Sequence, residues 1–218
     1  MNNLSTLQIL IVWALPVLFA VTVHEVAHGW MARRLGDPTA QMLGRLTLNP
    51  IKHIDPVGTI LVPGLLLLFN TGFIFGWAKP VPITWQNLKN PKRDMALVAA
   101  AGPGANLLMM FGWLAVARLG LALVPVIPWA AKPLFYMGEA GIFVNGILMI
   151  INLVPVPPLD GSRIVSAVLP PRLALKYNRI EPYGLIILLV LLATGLLGRF
   201  LSPVMSEFQH LVYYLLNF

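Results

Sequence analysis

The chain has no cysteine. Disulfides and thiolate metal sites are therefore excluded, and any metal must be held by His, Asp or Glu. Charge is scarce: 11% of the 218 residues are Asp, Glu, Lys or Arg, against about 25% in an average chain. Acids are the scarcest, with eight in all. At 58% hydrophobic residues, the chain has too little polar surface to cover its apolar one, which excludes an ordinary water-soluble enzyme. No basic stretch precedes the first apolar run and no small-residue cleavage site follows it, so that run is expected to stay as a helix. Internal repeats and low-complexity tracts are also missing. In so apolar a chain, the net charge of +7 points to orientation in a bilayer and contact with anionic membrane lipid, not to nucleic acid.

What is present is a series of apolar runs: Leu7–Met31, Val57–Phe75, Met95–Val124, Leu134–Val154 and Gly184–Leu201. Each is close to the ~20 residues that a membrane-spanning helix needs. Arg33, Arg34, Arg45 and Lys52 follow the first run, Lys79, Lys89, Lys92 and Arg93 precede the third, and Arg163, Arg172, Lys176 and Arg179 follow the fourth. Placing all of them on the cytoplasmic side of a cell membrane requires Val57–Phe75 to enter and leave on the same side. Pro63-Gly64 and Asn70-Thr71-Gly72 supply breaks for such a re-entrant hairpin; the alternative is a full crossing, which would put one basic cluster outside. The expected fold is an all-α membrane protein over 1–218. It has about four transmembrane helices (7–31, 95–124, 134–154 and 184–201), a re-entrant hairpin at 57–75 and an interfacial helix at 203–218. Short cytoplasmic-side β-strands are expected at Leu43–Leu48 and Lys79–Thr84, the second an edge because Pro80 and Pro82 alternate. An unpaired edge is a docking surface for an extended peptide.

Inside the first run lies His24-Glu25-Val26-Ala27-His28. On a helix the two histidines, four apart, share a face and can bind one metal ion. Glu25 sits about 100° round from His24, beside the metal. H-E-x-x-H is the metalloprotease signature of two zinc ligands and a glutamate that takes a proton from water. Ionisable groups are costly at membrane depth, so this trio is expected to do something there. A catalytic zinc takes three protein ligands. The metzincin extension is excluded, because Met31 and Arg34 stand where its Gly and His would be. Among the remaining acids and the spare His53 and His210, Asp160 is the best candidate. It follows Pro155, Pro157 and Pro158, which stop the fourth run, and irregular backbone at membrane depth belongs beside a wet cavity.

Taken together, H-E-V-A-H, A-G-P-G-A-N (Ala101–Asn106) and N-L-V-P-V-P-P-L-D-G (Asn152–Gly161) resemble the site-2 protease family of intramembrane zinc metalloproteases, most closely minimal prokaryotic members without a PDZ domain. The resemblance covers roughly Val17 to Val168. It implies one Zn2+ per chain held by His24, His28 and Asp160, with Glu25 as general base and Asn152 holding the substrate carbonyl or the oxyanion. Asn106 matches a family motif, for which a packing or capping role is expected, and Gly102 and Gly104 are expected to let helices approach closely. The implied substrates are transmembrane segments of other proteins. Val57–Phe75 has no counterpart in the shortest members, and His53 before it has no role fixed by the resemblance. A metal-ion transporter or channel is the competing class, since intramembrane His, Asp and Glu also suit an ion pathway.

Overall fold

The computed structural model describes residues 5–69 and 76–217, without the side chains of residues 6, 67 and 217. Its helices are α1 (Thr6–Arg34), α2 (Thr39–Met42), α3 (Val62–Leu68), α4 (Pro91–Leu123), α5 (Pro128–Asn152), α6 (Asp160–Val168), α7 (Pro171–Asn178), α8 (Gly184–Ala193) and α9 (Leu196–Asn217). Local signals set the ends of the long ones. Ser5 and Gln8 form a reciprocal capping box at the start of α1, and Arg33 and Arg34 occupy its last turn. Pro91 and Pro128 open α4 and α5, where a missing N–H costs nothing.

At 29, 33 and 25 residues, α1, α4 and α5 measure about 43, 50 and 38 Å, longer than a hydrocarbon core of ~30 Å. All three are apolar enough to cross a membrane, and they pack against one another. A fourth crossing exists if α7–α8 and α9 are counted together, but that pair bends by 74°. Gly195, at φ +70°, makes the break. The run at 184–201 is therefore not one straight helix. Of the segment expected at 203–218, residues 203–217 belong to α9, which docks on the bundle: Leu197, Leu201 and Phe208 join Met110, Ile142 and Ile150 in the main apolar cluster.

The expected strands are a correction. Among the described residues there is no β-strand. Residues 43–44 form a turn after α2, with Gly44 at φ +64°. Residues 76–84 form neither helix nor strand; the N–H groups of Trp77, Lys79 and Val81 alternate along them as in an extended chain, but they meet a side chain and non-strand carbonyls instead of a neighbouring strand. The hairpin expected at 57–75 falls partly outside the described residues. Its first arm is a turn at Pro56–Leu61, capped by the Asp55 carboxylate on the Val57 and Gly58 N–H groups, followed by α3. The chain returns beside its own start: the Trp77 N–H donates to the Gly58 carbonyl at 3.0 Å, and the Thr59 hydroxyl donates to the Trp77 carbonyl at 2.9 Å.

Candidate metal centre

Three elements converge on one point. His24 and His28 stand on the same face of α1, and Asp160 is the first residue of α6, which packs on α4. His24 Nε2 and His28 Nε2 are 3.0 Å apart, and each lies 3.3 Å from Asp160 Oδ2. Both histidines are buried, and Asp160 is half-buried.

The proton positions in this cluster follow from groups that can only accept. The Gly141 carbonyl is met by Asn145 Nδ2 at 2.8 Å, so Asn145 Oδ1 faces Asn106. Asn106 Nδ2 donates to that oxygen at 2.8 Å and to the Ala20 carbonyl, which turns Asn106 Oδ1 toward His24. His24 Nδ1, 2.6 Å away, must then carry its proton. His28 Nδ1 donates to the Val98 carbonyl at 2.7 Å. Each Nε2 is therefore left with a lone pair aimed inward. Asp160 Oδ2 is buried and has no hydrogen-bond donor.

Two lone pairs and a carboxylate oxygen at these distances repel one another unless a cation lies among them. The triangle also has the right size. Ligand atoms ~2.0–2.1 Å from a tetrahedral zinc are about 3.3 Å from each other, against edges of 3.0, 3.3 and 3.3 Å here. The second nitrogen of each histidine is held by a carbonyl-type oxygen, the usual support for a metal-ligating imidazole. The donor set fits a divalent zinc ion, and it is the one group of three such residues among those described.

Gly102 of α4 closes the back of the cluster. A Cβ at this position would lie 2.4 Å from His28 Nε2 and 2.6 Å from His24 Cε1. Gly102 thus admits the imidazoles, whereas Gly104 has nothing within 4 Å of such a Cβ and does not mediate close helix approach. Pro103 leaves the Ala99 carbonyl without its helical N–H, so α4 is loosened in the turn whose Val98 carbonyl serves His28.

Glu25 is half-buried, and its Oε2 accepts the Val81 N–H at 2.8 Å. Asn152, in the last turn of α5, donates to the Leu148 carbonyl at 2.9 Å, and no described contact joins it to the histidines or to Asp160. His53 is buried apart from the cluster: its Nε2 donates to the Thr47 carbonyl, and its own carbonyl accepts the Lys79 N–H. Reading the sequence left Asn145 unnoticed and gave Asn106 only a packing or capping role. The signal was available, because an asparagine inside an apolar helix is expensive unless it is hydrogen-bonded.

The model of peptidase family M50 matches residues 125–195, which carry α5, the proline-rich break and Asp160. Similarity to whole proteins runs further. The Bacillus subtilis (strain 168) protein named "Putative zinc metalloprotease YwhC" is 37% identical over 193 residues, covering 88% of this chain and 84% of that protein. The chain belongs to peptidase family M50. Two mycobacterial proteins named "Putative zinc metalloprotease Rip2" support the placement. The one from Mycolicibacterium smegmatis (strain ATCC 700084 / mc(2)155) is 31% identical, over 92% of this chain and 71% of its own length. The one from Mycobacterium tuberculosis (strain ATCC 25618 / H37Rv) is 30% identical, over 86% and 69%. No solved structure matches the chain. As a member of this family the protein is a membrane metallopeptidase, and the family uses zinc.

Proposed function

We propose that this chain is an intramembrane zinc endopeptidase that cuts peptide bonds within transmembrane segments of other membrane proteins, as in regulated intramembrane proteolysis. The observation that carries the reading is the inward convergence of His24 Nε2, His28 Nε2 and Asp160 Oδ2 inside a bundle of membrane-length helices. Family M50 membership and the names of the relatives support both metal and reaction class. The whole chain, 1–218, acts as a single membrane domain. The basic residues after α1 and around α6 and α7 favour a site toward the cytoplasmic side of the cell membrane, with lipid as its surroundings.

In this reading His24, His28 and Asp160 hold one zinc ion, which when bound supplies a Lewis acid that acidifies water and polarises a carbonyl. Glu25 accepts the proton of the attacking water and passes it to the leaving amine. The Val81 N–H fixes Oε2, so the carboxylate keeps one orientation while Oε1 handles the proton. Asn152 acts as a donor to the oxyanion once its amide turns away from the Leu148 carbonyl. A helical substrate hides its carbonyls in internal bonds, so it unwinds before it is cut. The extended segment 76–84, joined to Glu25 through Val81, receives the unwound form.

Glu25→Gln tests this reading. The variant is expected to retain zinc by metal analysis and to lose cleavage of a membrane substrate in detergent. Normal turnover would remove Glu25 from its role, and zinc flux into liposomes without cleavage would favour a transporter.

A further inference from the structure

The extended segment has two unlike edges. On one, the hydrogen bonds follow a two-residue period. The Trp77 N–H meets the Gly58 carbonyl, the Lys79 N–H meets the His53 carbonyl at 2.9 Å, and the Val81 N–H meets Glu25 Oε2. Two carbonyls on this edge are also engaged, that of Trp77 by the Thr59 hydroxyl and that of Lys79 by Arg45 Nη2 at 2.9 Å. In an extended chain, alternate residues present both their backbone groups to opposite sides. The other edge therefore belongs to Ala78, Pro80 and Pro82. None of their carbonyls has a hydrogen bond among the described residues. Two of the three residues have no N–H at all.

We propose that this outer edge recognises the unwound substrate through the substrate's own N–H groups alone, donated to the Pro80 and Pro82 carbonyls. The proposal rests on the protease reading above and names the backbone chemistry that its substrate must present. An ordinary strand addition exchanges N–H and C=O at each paired residue, so donors and acceptors are needed on both chains. Pro80 and Pro82 remove the protein's half of that exchange and leave two acceptors about 6.8 Å apart. These two flank Val81, whose N–H is on Glu25. The two substrate donors therefore lie within a few residues of the bond that is cut. Proline is excluded at those two substrate positions and tolerated between them. The segment itself is held by bonds to Gly58, His53, Arg45 and Glu25, so it is already extended when substrate arrives.

An ester scan separates this from the underlying reading. The probe is a synthetic peptide with a 20-residue Leu/Ala/Gly transmembrane segment flanked by lysines, offered in micelles to the purified, zinc-loaded full chain, with the cut mapped by mass spectrometry. Each amide within five residues of the cut, except the scissile one, is then replaced singly by an ester, which deletes the N–H and adds no bulk. Two positions, two residues apart, are expected to lower kcat/KM by about 3- to 10-fold each, the worth of one hydrogen bond, with little change between them. A flat response across the scan, or equal losses at consecutive positions, would overturn the acceptor-only edge while leaving the protease reading standing. Absence of cleavage of the parent peptide would strike the protease reading itself, and the edge proposal with it.

Discussion

Replacing Gly102 by alanine adds one methyl group at the point where α4 touches both imidazoles. In an unmoved backbone the new Cβ lies 2.4 Å from His28 Nε2, whereas ordinary contact begins near 3.4 Å. Something must retreat by about 1 Å. The histidines cannot do so freely, because His24 is tied to Asn106 and His28 to the Val98 carbonyl at 2.6 and 2.7 Å. If α4 moves instead, it takes both of those acceptors with it. Either way the donor triangle, with edges of 3.0–3.3 Å, is opened by a large fraction of its own size. Overpacking of this kind costs about 1–3 kcal/mol, while the intrinsic gain of alanine over glycine in a helix is about 1 kcal/mol in the opposite direction. Stability should thus change little, and the damage should fall on the metal. We expect zinc affinity to drop at least 10- to 100-fold, the range seen when a ligand's support is disturbed. Metal content after dialysis against a graded chelator would read it, with cleavage measured in parallel. Gly104→Ala is the internal control, since nothing lies within 4 Å of its new methyl group. A Gly102→Ala protein that holds zinc as tightly as the parent would refute the contact geometry.

Three further outcomes are expected. Asn106→Ala deletes the acceptor of the His24 proton and the partner of Asn145, and should weaken zinc binding about 10- to 100-fold in the same chelator assay without loss of helicity. Asp37 is fully buried outside the membrane-spanning helices; burial raises its pKa, but donors from Thr39, Asn87 and Thr84 outweigh this and hold it below its ordinary 3.8. Its stabilising contribution is therefore complete above about pH 4 and is lost as pH falls through the lowered value, so limited proteolysis should show residues 76–88 opening in acid, and in Asp37→Ala at neutral pH as well, where unpaired donors cost about 1–3 kcal/mol. Gly146→Leu should expel Phe208, whose ring would lie 2.0 Å from a Cβ at that position, and release α9 from α5, read as faster proteolysis after Leu196.

The three side chains that converge as candidate zinc ligands were legible in the sequence because their chemistry is expensive where it sits. Histidines four apart in an apolar run and an aspartate behind three prolines are hard to explain by packing alone. The helices α1, α4 and α5 were legible for the same reason, since apolar length is a direct consequence of bilayer thickness. What sequence could not give was partnership. Lys79–Thr84 has the alternation of a strand, but its N–H groups found Glu25, His53 and Asp37 as acceptors, residues far away in sequence and in three separate stretches of the chain. Likewise 203–218 has the polar and apolar alternation of an interfacial helix. Only the groove at Gly146 reveals that Phe208 is inserted into the bundle.

The asparagine relay and the extended segment have a common physical basis. In a medium with no water to satisfy stray polar groups, each donor must be given an acceptor by the fold. The relay from Gly141 through Asn145 and Asn106 fixes which nitrogen of His24 is free, so a backbone carbonyl on α5 decides the tautomer of a side chain on α1. The segment at 77–81 follows the same rule from the other direction. Its inner edge is tied down at Trp77, Lys79 and the Val81 N–H, and two prolines remove the donors of its outer edge at 80 and 82, which leaves carbonyls that an incoming chain can satisfy. Among the described residues, unpaired acceptors remain at Asp160 Oδ2 and along Pro80 and Pro82, besides His53 Nδ1. The first suits a cation and the second a peptide N–H, the two things that a metallopeptidase has to hold at once.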